Sequence, residues 1–232
     1  MELSSIAFIP DGNRRYAVRN NISLAESYAL GTQKTWDVVK WLSDYPKIKV
    51  GTFYTLSLEN LTRKKSEIRL LFKIFKKQLD KVEGNSLLEE HGIRLNFVGR
   101  TDLLPKSVRD KLANAERRTE NFSEKTVNLA IGYNGRSEIV DAAKSVAERF
   151  AAGKISLESL NEDSFKEFLY KGSPNPDMIV RTSGTKRLSA FLTYQSVYSE
   201  LYFCDRFWPE FSREDLDNAI SDYSERQRRF GK

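Results

Sequence analysis

The chain has 232 residues, 40% of them hydrophobic and 30% charged, with 38 basic against 32 acidic side chains and a net charge of +6. Such a length supports one large domain with a substantial core, or two small ones, and the balance is ordinary for a globular protein. No segment approaches the run of about 18–20 apolar residues that a membrane span needs. The one cysteine, Cys204, allows no internal disulfide, and the one histidine, His91, speaks against a zinc set or a Ser-His-Asp triad.

The N-terminus, MELSSIAFIPDGN, has no basic leader and only a short apolar stretch, so a cytoplasmic protein is expected. Ile6–Pro10 reads as a first strand, followed by DGNRRYAVRN and a helix from Leu24 to Leu42. Val50–Leu58 is a second, buried strand rich in β-branched and aromatic residues. The next helix is amphipathic, Ser66–Val82, with Ile68, Leu71, Phe72, Phe75 and Leu79 on one side, lysines on the other, and Ser66 as candidate cap. Ile93–Val98 is a third strand, and Leu104–Glu116 a helix with Pro105 in its first turn. Val127–Tyr133 is a fourth strand, Arg136–Ala151 a helix ended by Gly153, and Asn161–Tyr170 another helix. Met178–Arg181 and Leu201–Phe203 complete six strands, and a last helix begins near Arg213. His91 falls at a helix end and Cys204 at a strand end among aromatics.

There is no internal repeat, and KGSPNPD at 171–177 is short enough to be a loop. Residues 1–232 therefore read as a single α/β domain, with a central, mostly parallel six-stranded sheet flanked by helices. In such sheets ligands bind beyond the carboxyl ends of the strands. Those ends carry Asp11-Gly12-Asn13-Arg14-Arg15, then Ser57, Asn60 and Arg63, then Tyr133-Asn134-Gly135-Arg136, then Arg181-Thr182-Ser183-Gly184 with Arg187 and Ser189 beyond. Arginines among small polar residues suit a ligand with several negative charges. A glycine after a strand lets the backbone turn onto a ligand, and Asp11 among phosphates implies an intervening Mg²⁺. The positive charge would also draw nucleic acid, but the arginines sit at strand ends and not in an aromatic-laced stripe, so no nucleic-acid partner is expected.

IPDGNRRYA, FYTLSLENLTRKKSE, VNLAIGYNGRSEIVDA, MIVRTSGTKRLSAFLTYQSVYSELYF, WPEF and the closing RQRRFG occur in one order from Ile6 to Gly231. Together they resemble the cis-prenyltransferase family, also called undecaprenyl diphosphate synthases. That resemblance implies a parallel sheet with a hydrophobic tunnel, a homodimer, and condensation of isopentenyl diphosphate onto an allylic diphosphate. The product would be a Z-polyprenyl diphosphate, precursor of a glycosyl carrier lipid. It implies Asp11 as the Mg²⁺ ligand most needed for catalysis, with Glu200 contributing to the metal. Gly12, Asn13, Arg14 and Arg15 would cradle the allylic diphosphate with help from Arg63. Ser57 and Asn60 would act near the reacting centre, and Arg181, Arg187 and Ser189 would hold isopentenyl diphosphate.

The departures point to an archaeal-like member. Leu24 and Tyr28 stand where bacterial members usually carry arginine and histidine, Leu61 where an aromatic is common, and Lys186 where a histidine is. Archaeal relatives commonly take geranylgeranyl diphosphate as starter, with farnesyl diphosphate the other candidate. Irregular, non-head-to-tail coupling and a non-catalytic subunit are the alternatives, the latter opposed by Asp11, Asn13, Arg15 and Asn60. Peripheral contact with a membrane would give a long product somewhere to go. The Ser66–Val82 helix could be core packing, one side of the tunnel, or both.

Overall fold

The computed structural model describes residues 2–170 and 175–226. Six strands form one sheet: β1 (Ser5–Ile9), β2 (Val50–Ser57), β3 (Ile93–Val98), β4 (Lys125–Tyr133), β5 (Met178–Arg181) and β6 (Glu200–Phe203). Their order is β3-β4-β2-β1-β5-β6 and every pairing is parallel. The helices are α1 (Asn13–Arg19), α2 (Leu24–Ser43), α3 (Lys65–Leu79), α4 (Ser86–Glu90), α5 (Lys106–Thr119), α6 (Gly135–Ala151), α7 (Glu162–Phe165) and α8 (Arg213–Glu225).

All five β1 residues are buried, as expected for a strand covered on both faces. Ile6, Phe8, Phe53, Leu95, Val127 and Val180 point to one face and pack against Val38, Val39 and Leu42 of α2, Ala115 of α5, and Leu216 and Ala219 of α8. Phe8 stacks on Phe53 at 4.9 Å, with Trp208 and Phe211 around them. Ala7, Ile9, Val98, Ala130 and Ile179 point to the other face, under Tyr133, Tyr170, Phe191 and Leu192. A third cluster joins Tyr28, Leu56, Leu71, Leu104, Val108, Leu112 and Ile131 to the inner side of α3.

Two irregularities set which residues face which side. The β2–β4 register skips Thr55 on β2 and then Gly132 on β4, where Gly132 has φ +61°. In an unbroken strand Tyr54 and Leu56 would share a face, but the bulge at Thr55 sends Tyr54 to one side and Leu56 to the other.

Several expectations need correction. α3 begins at Lys65, so Ser66 lies inside it, and its N-terminus has no side-chain cap. The segment expected as a helix over 161–170 is only the four residues of α7 plus a 3₁₀ turn at Lys166–Phe168. Asn161 does cap α7, through the N–H groups of Asp163 and Ser164. DGNRRYAVRN contains a helix of its own, α1, whose seven residues are too few to show a 3.6-residue period; His91 is the C-cap of α4, the helix end expected there, although five residues are too few to show where that helix begins.

Phe8→Ala would remove a fully buried ring from the centre of the sheet. A loss of about 3–5 kcal/mol is expected, measured by urea denaturation, with no change in the denaturant slope.

Candidate functional site

A cavity of about 900 Å³ opens at the carboxyl ends of β1 and β2 and runs down between the sheet and helices α2, α3 and α5. Its mouth is polar: Asp11, Gly12, Asn13, Arg14, Arg15, Asn60, Arg63, Thr185 and Arg187 line it. Its body is apolar, walled by Val39 and Trp36 of α2, Leu71, Ile74 and Phe75 of α3, and Leu95, Phe97, Val127, Leu129 and Ile131 of the sheet. From Tyr133 at the end of β4 back to Val127 is six residues, about 20 Å of strand.

The mouth is built where the strand order reverses. β2 lies on one side of β1 and β5 on the other, so the chain leaves β1 and β5 toward opposite sides, and the first residues past the two strands meet across the crevice at this switch point. Asp11 closes it. Its N–H donates to Thr182 Oγ1 at 2.9 Å, Thr182 Oγ1 donates back to the Asp11 carbonyl at 2.8 Å, and Trp208 N–H donates to the same carbonyl at 3.0 Å. Arg181, 4% exposed, donates to Asp11 Oδ2 at 2.7 Å, and Arg15 stands 3.3 Å from Oδ1. Burial pulls the Asp11 carboxyl upward, but hydrogen bonding and charge from Arg181, with Arg15, outweigh it and hold it below 3.8. Arg181 also donates to the Arg187 carbonyl and to Ser189 Oγ (2.9 Å), while its Nε is buried without a partner. Arg15 reaches Ser183, at 2.5 Å to Oγ and 3.3 Å to the carbonyl.

Two glycines make the packing possible. Gly12 has φ +106°, and a Cβ there would lie 2.7 Å from the Phe207 ring. A Cβ on Gly31 of α2 would lie 2.1 Å from Asn13 Oδ1, so α2 is bare where Asn13 approaches. Asn13 Oδ1 is buried and has no partner, a polar atom at the cavity mouth with capacity to spare.

Arg63 is anchored on the opposite side of the mouth. It donates to Glu67 Oε1 and to Tyr28 Oη, both at 2.9 Å, and Tyr28 Oη donates to Glu67 Oε1 at 2.7 Å. Burial first, then the bond to Glu67, pushes the Tyr28 hydroxyl up to about 12. This triad ties α2 to α3 beside the cavity. In the sequence Tyr28 stands out only as a departure from the bacterial pattern, and Glu67, 39 residues away, gives no local signal of the pairing.

The structure thus gathers Asp11, Gly12, Asn13, Arg14, Arg15, Asn60, Arg63 and Arg187 around one mouth. Ser57 and Ser189 support it from behind: Ser57 Oγ accepts the N–H of Asn60 at 3.2 Å, and Ser189 holds Arg181. Arg181 is not an open clamp with Arg187 but lies under Asp11. Glu200 is not brought to Asp11. It opens β6 opposite Met178, whereas Asp11 lies past the Ile9–Arg181–Phe203 level, about 10 Å further along the strands and two strands across. Its carboxylate takes Arg226 at 2.8 Å. The closing 227–232 lies outside the described residues, as does 171–174 of the KGSPNPD loop.

A family model described as putative undecaprenyl diphosphate synthase matches residues 9–231. The tritrans,polycis-undecaprenyl-diphosphate synthase (geranylgeranyl-diphosphate specific) of Methanocaldococcus jannaschii is 42% identical over 98% of this chain and 82% of its own. The protein of the same description from Pyrobaculum aerophilum is 43% identical over 98% and 95%. Among solved structures, lavandulyl diphosphate synthase from Lavandula x intermedia, in complex with dimethylallyl diphosphate, superposes with a TM-score of 0.94 at 28% identity, over 100% of this chain and 99% of its own. A probable undecaprenyl diphosphate synthase from Campylobacter jejuni does so at 0.82 and 30%, over the whole of both chains.

The Asp11–Arg181 pair has a pH signature. The Asp11 carboxyl is held below 3.8, so its contribution to stability is present above that value and is lost as pH falls through the lowered folded-state value. Asp11→Asn leaves Arg181 buried without its counter-charge. The variant is expected to melt below wild type at pH 7, with the gap narrowing as pH falls under 3.8. A gap independent of pH would show that the pair is not what holds the crevice.

Proposed function

The chain belongs to the undecaprenyl diphosphate synthase family, the cis-prenyltransferases, and from that footing we propose that it lengthens an allylic diphosphate by adding isopentenyl diphosphate units with Z geometry. The observation that carries this is the cavity: a cationic, hydrogen-bonding mouth continuous with a deep hydrocarbon-lined body. A molecule with a diphosphate head and a growing isoprenoid tail has that same division of polarity. The product would serve as precursor of a glycosyl carrier lipid.

Arg14, Arg15 and Arg63, with the backbone at Gly12 and Asn13, would bind the allylic diphosphate; Arg187, with Arg181 and Ser189 behind it, would bind isopentenyl diphosphate. As the allylic carbon–oxygen bond breaks, negative charge gathers on the leaving diphosphate, where fixed cations stabilise it most. The isopentenyl double bond attacks the allylic carbon, and a proton is then lost. Asn60, tied to Ser57, lines the mouth and would pass that proton on, with a diphosphate oxygen as the alternative acceptor.

A divalent cation fits this donor set. Among the described residues no group of three or more His, Cys, Asp or Glu side chains forms a protein cage. Mg²⁺ is commonly held by one or two carboxylates plus substrate phosphates, and Asp11 offers one carboxylate at the cavity wall. When bound, the ion would neutralise charge on the diphosphate oxygens. Asp11 would then exchange part of its bonding to Arg181 and Arg15 for the ion.

The relatives described as geranylgeranyl-diphosphate specific support that starter over farnesyl diphosphate. Irregular coupling of two short allylic units draws on the likeness to the enzyme solved with dimethylallyl diphosphate. The apolar depth below the mouth favours elongation, because a short product leaves most of that wall in contact with water. Val197 and Tyr198, 71% and 69% exposed beside the edge strand β6, support assembly as a homodimer. No described helix is long and apolar enough to cross a membrane, in keeping with a cytoplasmic enzyme.

Incubation with labelled isopentenyl diphosphate, Mg²⁺ and a panel of starters is expected to give a ladder of products, best with geranylgeranyl diphosphate. Asp11→Ala should lower turnover by roughly 10²–10³-fold or more. A single short branched product would favour irregular coupling, and no incorporation with any starter would sink the proposal. Gly31→Ala supplies a finer check. Its Cβ displaces Asn13 while favouring the helix, so turnover should fall at least about tenfold with the melting temperature nearly unchanged.

A further inference from the structure

The outer face of α3 carries charge in a pattern that neither the cavity nor the core accounts for. Between residues 64 and 81 stand seven basic residues, Lys64, Lys65, Arg69, Lys73, Lys76, Lys77 and Lys81, against two acids, Glu67 and Asp80. Both acids are neutralised within the fold, Glu67 by Arg63 and Asp80 by Lys111 of α5. Glu83, just beyond, is taken by Arg118 of α5. None of the seven cations lies within ion-pair distance of a carboxylate among the described residues. Lys65, Arg69, Lys73, Lys77 and Lys81 are all exposed and follow one another at intervals of four. On a helix that places like charges side by side in one inclined row, each neighbouring pair being repulsive. No carboxylate among the described residues pairs with the row to offset the repulsion; an external polyanion would.

The other side of the same helix identifies the polyanion. Leu71, Ile74, Phe75 and Leu79 wall the hydrocarbon cavity directly beneath the row. Phe72 and Phe75 pack inward, so the basic face offers no ring for a nucleobase to stack on. We infer that the outer face of α3, about 22 Å long, is a docking surface for an anionic lipid bilayer, held by the Lys65–Arg69–Lys73–Lys77 row. Docking there lays the wall of the cavity against the membrane surface. The inference rests on the prenyl-transfer reading only for what leaves the cavity; the surface itself rests on the charge row. Attachment is electrostatic, so it weakens with salt and needs acidic headgroups.

The test is sedimentation of the full chain with phosphatidylcholine vesicles containing or lacking phosphatidylglycerol, over a range of KCl. The combined variant Lys65→Gln, Arg69→Gln, Lys73→Gln and Lys77→Gln removes the row with residues of similar helix propensity, and none of the four lines the cavity. A control neutralises Lys144, Arg149 and Lys154 on and after α6, whose Glu138 is bonded to Tyr133 and Gln195 on the opposite face of the sheet. Wild type is expected to bind the phosphatidylglycerol vesicles, more weakly as salt rises. The row variant should lose roughly fivefold in affinity per cation removed, and the control should keep its affinity. Equal binding to neutral vesicles, equal loss in the control, no binding at low salt, or displacement by a short DNA duplex would each overturn the inference. Prenyl transfer assayed in detergent on the same samples should be unchanged, and its absence would count against the enzymatic reading and not against the surface.

Discussion

The site depends on a charge that cannot move. Arg181 is buried at the end of β5 with its guanidinium on Asp11, the Arg187 carbonyl and Ser189. A buried arginine is costly unless its bonds are met, so the loops after β1 and β5 are obliged to converge on it. That convergence fixes Asp11 at the lip of the cavity and sets Arg187 beside it. It also explains the unpaired Nε: three hydrogen bonds, two from Nη1 and one from Nη2, are enough to hold the loops, and Nε keeps a demand that only an added anion or water would meet. Tightness here is what lets a single carboxylate stay ionised while half-buried among cations.

The mouth and the body of the cavity are joined by helices that each do two things. α2 presents Tyr28 to Arg63 at one point and Trp36 and Val39 to the apolar body further on. α3 takes its bearing from Glu67 and then lends Leu71, Ile74 and Phe75 to the wall. Changes in the occupancy of the mouth therefore act on the same two helices that shape the space for the tail. Arg63 is the joint, since a bound anion would compete for it with Glu67.

Much of this could be read beforehand. The six strands are apolar runs of the right length, and their polar ends named Asp11, Asn60, Arg63 and Arg187 before any geometry was known. The parallel arrangement followed from the helices between them. What could not be read depends on contacts distant in sequence or on signals too short to register. Arg181 and Arg187 looked alike as anion-holding arginines at the end of the fifth strand and beyond, yet one is buried and the other lines the cavity, a difference set by β1 lying next to β5. Glu200 lies at the wrong end of a strand because the residue count from β6 to the cavity edge is not visible in a motif. Tyr28 and Glu67 meet only because α2 and α3 pack, and α1 is too short to show a period.

The paired bulges at Thr55 and Gly132 have a consequence for how such a chain can change. A strand assigns its side chains to two sides by counting, and each bulge alters the parity of that count. Leu56 reaches the cavity, and Tyr133 the opposite core, only because the count was altered once in β2 and once in β4. Substitutions at these positions change a side chain; the loss of one residue would exchange the inside and outside of everything that follows on that strand. Variation across the cavity floor is therefore free to proceed by replacement, whereas the lengths of β2 and β4 are locked to each other.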